Sequence, residues 1–348
     1  MTGVQRRTKR SGVIRDPQRG YALVATGAAL FVLNAGVSRV IQAAGVDSMT
    51  LTTVRCTGTS LVLLALLAAR RESLRLPRSG REVAVVIGFG ISGVALVQYF
   101  YFVAIDRLPV GVALLLEFTA PLLVALFARV VYRERVRSRM WLGMGLSLGG
   151  LALVAQAWGG LTLDAVGVLA GLGAAVSLAC YFLLGEHSVT DEAPLHVLTK
   201  AFLVAAVFWN VVQPVTNLWR TDLASTRPLG GTLESLHAPL WLLIVWMVAL
   251  GTVVPFLAEL SALRHLSATE VTLIGMVEPV GAALLGWLWF SEAMSIAQLG
   301  GVVLVLTGIG LAQTARIQRL DSDVFSPQAP LVGGQIVRGS SLSENGDA

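Results

Sequence analysis

Ten runs of about twenty predominantly apolar residues divide this chain, at 20–42, 50–69, 82–104, 108–131, 140–158, 163–185, 194–215, 239–262, 267–290 and 296–315. A bilayer core asks for about 20 such residues per crossing helix. The pattern therefore predicts an all-α integral membrane protein with ten transmembrane helices. Composition discriminates at one point: 14% of residues are charged, against about 25% in soluble domains. The net charge of +5 then reads as membrane topology, and no nucleic-acid partner is expected.

Placement of the basic residues sets the orientation, because cytoplasmic loops are enriched in Lys and Arg. Arg6, Arg7, Lys9, Arg10, Arg15 and Arg19 precede the first run, and Arg70, Arg71, Arg75, Arg78 and Arg81 fill the second connection. Arg129, Arg133, Arg135, Arg137 and Arg139 surround the fourth, and Arg316 and Arg319 follow the tenth run. On the other side, connections 1–2, 5–6 and 9–10 carry no basic residue, and 3–4 carries only Arg107. Both termini are expected in the cytoplasm of a bacterial cell, with the chain in the inner (plasma) membrane. The acidic connection EHSVTDEAPLH is an exception on the cytoplasmic side, and the longest connection, 216–238, lies outside. The first run is longer than a signal-peptide core, so it reads as a retained anchor. Cys56 and Cys180 fall inside runs, which indicates neither a disulfide framework nor a metal site.

Shifting the chain by 158 residues lays 104–153 on 262–311 without a gap, matching Pro121 with Pro279, Glu134 with Glu292, Gly143 with Gly301 and Gly150 with Gly308. A looser match, with one gap, lays Gly27 on Gly173 and Arg55 on Lys200. The expected organisation is a basic segment 1–19, five-helix repeats at 20–158 and 163–317, and a disordered, Gly/Ser/Pro-rich cytoplasmic tail at 318–348. Five is odd, so the second copy enters the membrane from the opposite side. Inverted repeats of this kind occur in transporters, whose substrate site lies at the midplane between the copies.

Ionisable side chains within a span are expensive and by default mark a pathway or relay. Arg55, Glu117, Lys200, Glu259, Glu270 and Glu278 qualify. Glu117 and Glu278 fall near the centres of their runs, whereas Glu259 and Glu270 fall toward the cytoplasmic ends, where reaching water is cheap. The repeat maps Glu278 onto Ala120, one turn after Glu117, so both carboxyls occupy similar faces and could meet in one cavity holding a proton or a cationic substrate. The alternative is that each carboxyl only fixes helix packing. Pro121 and Pro279 each free a carbonyl one turn back and are expected to kink their helices. Asn34, Gln98, Tyr99, Tyr101 and Tyr181 are polar enough to line a pathway, as are Gln42 and Asn210. Arg55 and Lys200 read as structural or gating charges. The stretch GFGISG at 88–93 resembles a dinucleotide fingerprint, but the apolar run continues through it. Its glycines, like Gly145, Gly149, Gly167 and Gly171, suit close helix approach instead. No metal spacing, catalytic constellation or phosphate loop is present, so no cofactor, metal or enzymatic activity is expected.

Ten helices in two inverted repeats, with a Glu-containing turn after the fourth helix of each (YRERV at 132–136, FSEAM at 290–294), resemble the EamA-type members of the drug/metabolite transporter superfamily. LEFTAPLLVAL at 116–126 and MVEP at 276–279 are similar to patterns of the threonine/homoserine exporters, although Ala120 replaces a glycine and the first helix reads LFVLN in place of a Trp-Gly pair. The resemblance implies export of amino acids or related metabolites by alternating access, and it matches the family's helix-2 arginine to Arg55.

The expectation is a secondary transporter exporting a small polar metabolite, threonine- or homoserine-like, with Glu117 and Glu278 at its central site and proton coupling left open. Efflux of drugs or quaternary cations is the alternative within transport. A membrane-embedded lipid-modifying enzyme is a remote one, because the four histidines are scattered. Oligomeric state is not encoded in these features.

Overall fold

The computed structural model describes residues 16–324 apart from 109, 132–136, 155–163 and 292–294. Most of the expected basic leader, the arginine turn containing Glu134, its counterpart Glu292 and the tail beyond 324 lie outside the described residues. The helices are α1 (Pro17–Ala43), α2 (Ser48–Ala69), α3 (Gly80–Gly88, Phe89–Ala95 and Leu96–Arg107), α4 (Val110–Glu117 and Ala120–Val130) and α5 (Ser138–Val154). They continue as α6 (Ala165–Asp191), α7 (Pro194–Val212), α8 (Leu240–Val248, Ala249–Val253 and Val254–Ala262), α9 (Ala268–Gly275 and Val277–Phe290) and α10 (Ile296–Val324). Eight have apolar stretches of 18 residues or more, long enough to cross a bilayer, and α10 contributes a shorter apolar stretch, Ile296–Ala312. α10 runs to Val324, so the first residues assigned to a disordered tail are helical.

Helix starts follow local chemistry. Asp16, Asp47, Ser79 and Asp164 each accept amide hydrogens of the first turn, satisfying donors that a helix leaves unpaired. Ser267 and Glu270 form a reciprocal capping box at the start of α9, so the Glu270 carboxylate is used locally.

Apolar side chains face outward as well as inward: Leu61, Leu169, Val211 and Val303 are between 61% and 81% exposed. In water that surface would be a liability, whereas hydrocarbon solvates it. The fold is that of a multi-span membrane protein. A correction to an entirely helical chain comes in the long α7–α8 connection, where β1 (Thr226–Pro228) pairs antiparallel with β2 (His237–Pro239). This connection is tied to the end of α9, with Thr232 Oγ1 donating to the Leu288 and Trp289 carbonyls at 3.1 and 3.0 Å, and Trp289 Nε1 to the Leu229 carbonyl at 3.2 Å.

α5 and α10 cross through glycines. A Cβ on Gly143 would sit 2.5 Å from the Gly308 carbonyl oxygen, and one on Gly150 would sit 2.7 Å from that of Gly301. The helices run antiparallel there, and each contact is the other seen through the 158-residue register. Gly145 faces open space and Gly149 meets only Leu304, which corrects the expectation that this pair makes the close approach. Gly90 and Gly93 of GFGISG do serve packing, abutting the backbones of α7 and α6 respectively. Residues 89–95 widen into a π-helical segment, and so do 249–253 in α8, with Gly93 and Gly251 in the same 158-residue register.

Candidate functional site

α4 stops at Glu117 and resumes at Ala120, and α9 stops at Gly275 and resumes at Val277. Proline explains both breaks, since Pro121 and Pro279 cannot donate to the carbonyls of Glu117 and Gly275. In α4 the interruption is tied off by Thr119, whose amide and hydroxyl both donate to the Leu116 carbonyl at 3.1 and 2.7 Å. The breaks leave Glu117 and Glu278 in the middle of the bundle.

Both glutamates open on one cavity of about 710 Å³, within the range of about 300–1,000 Å³ usual for small-molecule sites. Its wall takes Asn34 from α1, Arg55 from α2, Gln98 and Tyr101 from α3, Tyr181 from α6, Glu259 from α8, and Pro121 and Pro279 from the two breaks. Of the side chains expected to line a pathway, Asn210 is not in the wall, and neither is Tyr99. Its ring packs 5.9 Å from Trp209 and 5.7 Å from Phe100. Two positions on a helix differ by about 200° in direction, so Tyr99 faces away when Tyr101 faces the cavity. Gln42 lines the mouth and donates to Ser48 at 3.0 Å, while Asn210 bonds Thr57 at 2.8 Å between helices.

The two matched basic residues part company. Lys200 is not in the cavity wall; it pairs with Glu192 next to the start of α7. Arg55 lines the cavity, and its hydrogen-bond partners are neutral: Nε donates to Thr252 Oγ1 at 2.9 Å and Nη1 to Gln98 Oε1 at 3.0 Å. Among the described residues Arg55 forms no ion pair.

Glu259 overturns the expectation of cheap access to water. It is only 4% exposed and lines the cavity. Gly27 of α1 makes the room, because a Cβ there would lie 3.1 Å from Glu259 Cγ. Glu259 on α8 and Glu278 on α9 line the same cavity. Depth along the span hid this residue; the repeat could have found it, since Glu259 lies 158 residues on from Tyr101. Asn34 Oδ1 and the Tyr181 hydroxyl are buried and have no hydrogen-bond partner among the described residues. Gly251 leaves the space that the Asn34 amide fills.

The cavity extends to Arg39, Gln42, Phe290 and Gln298 at the end of the bundle where α1 finishes. There the Arg39 guanidinium lies 4.4 Å from the centre of the Phe290 ring. At the opposite end, where α1 starts, the bundle is sealed. The Asp16 amide donates to His265 Nδ1 at 3.2 Å, Glu72 meets His196 Nε2 at 2.8 Å, and Gly20 lies against Leu266. The arrangement is a largely apolar chamber with ionisable and polar side chains set into its wall, reaching one end of the bundle.

Comparison with known proteins agrees with this architecture. The EamA-like transporter family matches twice, over residues 18–156 and 165–314. An uncharacterized transporter of Bacillus subtilis, YdfC, is 28% identical over 244 residues, covering 70% of this chain and 75% of the relative. The threonine/homoserine exporter RhtA of Escherichia coli K12 is 26% identical over 269 residues, covering 75% and 82%. One crystal structure superposes with a TM-score of 0.69 at 22% identity, over 87% of this chain and 99% of its own, a likeness of fold alone. The family and these relatives indicate a transporter rather than an enzyme. With the family matched along both halves of a multi-span helical bundle, the chain belongs to the EamA-like transporter family.

Proposed function

We propose that the chain is a secondary transporter of the bacterial inner membrane that exports a small polar metabolite of the amino-acid class by alternating access. The observation that carries this reading is the chamber itself, which has charged side chains of both signs at mid-bundle and one open end. Ten transmembrane helices form two inverted repeats, 20–158 and 163–317, in this proposal. The reciprocal glycine contacts of α5 and α10 support that symmetry. Both termini are cytoplasmic, so the sealed end is the inner one and the cavity faces outward. Glu117 and Glu278 lie at the central site, and proton movement through the carboxyls couples transport to the pH gradient. Similarity to RhtA supports threonine or homoserine as substrate.

The test is uptake of labelled threonine into inverted vesicles with an imposed pH gradient. Accumulation that follows the gradient, and loses that dependence in Glu117→Gln, is expected. Glu117→Gln transporting with unchanged pH dependence would sink the proton role. A second reading, efflux of quaternary cations, is favoured by Tyr101, Tyr181 and Phe256 beside the carboxyls. Competition between labelled threonine and a cationic dye on the purified protein separates the two.

A further inference from the structure

We propose that Arg55 binds the carboxylate of the transported solute, and that the Glu259–Glu278 pair receives its ammonium group, so that the cavity selects zwitterions. This rests on the cavity being the transport path. A guanidinium has five N–H donors in a planar fork. Two of Arg55's neighbours fix the fork without neutralising it, because Thr252 and Gln98 are neutral acceptors. Thr252 is itself held, fully buried, by donating to the Met247 carbonyl at 2.9 Å. The fork is thus oriented in advance, with donors left over and a cavity in front of it.

An intramembrane charge kept without a counter-charge is costly to the folded protein and is retained where it has a use. A carboxylate meets a guanidinium fork with two parallel hydrogen bonds, a geometry that an ammonium side chain cannot reproduce. The rest of the wall points to the same ligand. Asn34 and Tyr181 are 5% and 1% exposed, and each has a polar atom still lacking a partner. The carboxyls of Glu259 and Glu278, on α8 and α9, supply acceptors for a cation. A solute carrying only a positive charge would leave Arg55 unneutralised and be repelled by it, which is discrimination through an unpaired charge.

The experiment measures binding to the purified protein, by calorimetry, of a panel of L-amino acids including threonine and leucine, each beside its methyl ester. The ester keeps the ammonium and removes the carboxylate charge. The preferred amino acid is expected to bind about 30-fold more tightly than its ester, the size of a charge-assisted contact. Arg55→Gln is expected to erase that preference by weakening the acid and leaving the ester unchanged, and Arg55→Lys to restore part of it. Should Arg55→Gln fail to fold, Gln98→Glu decides. It gives the guanidinium an internal carboxylate, and is expected to keep the fold and lose the preference. Equal binding of acid and ester to the unaltered protein, or a preference that survives in folded Arg55→Gln or Gln98→Glu, overturns the inference while leaving metabolite transport intact. Binding of quaternary cations with no amino acid bound at all overturns both this inference and the amino-acid reading.

Discussion

Ser147 donates from its hydroxyl to the carbonyl of Val305 at 3.3 Å, and the two residues are 158 positions apart. That separation is the register relating the two halves of the sequence. The surrounding glycine contacts, Gly143 with Gly308 and Gly150 with Gly301, are reciprocal in the same register. Every atom added to this seam is added to an already closed crossing. Gly150→Leu is expected to destabilise the protein by about 3 kcal/mol, the upper range for overpacking. Gly145→Ala, one face away, is expected to hold or raise stability, because alanine favours helix over glycine by about 1 kcal/mol. Melting temperatures of the two purified variants check this, and equal losses would mean that the seam does not limit stability.

Glu259 and Glu278 act as a unit if they share one proton. Side chains of that kind show strong non-additivity when removed singly and together. In the vesicle assay, Glu259→Gln and Glu278→Gln are each expected to lower gradient-driven uptake at least tenfold, with the double variant no worse than the weaker single. Losses that multiply would show two independent roles. Glu270→Gln is the control: its carboxylate is committed to Ser267, accepting from the amide at 2.8 Å and the hydroxyl at 3.0 Å. It should cost stability of about 1 kcal/mol, the scale of a lost cap, without altering uptake.

Lys200 pairs with Glu192 where the side chains are 12% and 18% exposed. Removing one partner leaves the other charge uncompensated, at a cost below the ~3–5 kcal/mol of a fully buried pair because both side chains are part-buried. Lys200→Met is therefore expected to lower the melting temperature clearly while leaving solute affinity as it was, since Lys200 does not reach the cavity wall. Affinity falling in step with Arg55→Gln would instead place Lys200 in the binding path.

Much of this was legible because membrane helices announce themselves by length and because proline and glycine carry backbone meaning. Pro121 and Pro279 marked the two breaks, and the breaks brought Glu117 and Glu278 into one chamber. The register also ran further than sequence identity showed, pairing the π-helical segments of α3 and α8. Other features depend on direction rather than position. Tyr99 and Tyr101 look alike in sequence and face opposite ways. Glu259 looked close to water, until the missing side chain of Gly27 turned out to give it space inside. Gly145 and Gly149 have a close-packing spacing on the wrong face, and Gly143 and Gly150 take that role. Arg55 needed both Gln98 and Thr252, on different helices, before its lack of an acidic partner could be seen.

Asp47 caps α2 outside the spans, and its environment makes stability depend on pH. Partial burial pushes its carboxyl up, but the Thr50 hydroxyl and amide, the Gln213 side chain and the Met49 amide together pull it below its ordinary value. The closest of these contacts is the Thr50 hydroxyl at 2.6 Å. A carboxyl lowered by folding stabilises the folded state above its unfolded pKa, and that contribution is lost as pH falls through the folded value. Asp47→Asn keeps an oxygen acceptor for the first turn and removes the charge. Its deficit relative to the unaltered protein should therefore be present at neutral pH and shrink as pH is lowered past the carboxylate range. Asp47→Ala, which removes the cap altogether, should lose about 1 kcal/mol at neutral pH. Thermal melts of the three proteins across that range check both, and an Asp47→Asn deficit that stays constant with pH would remove the charge from the explanation.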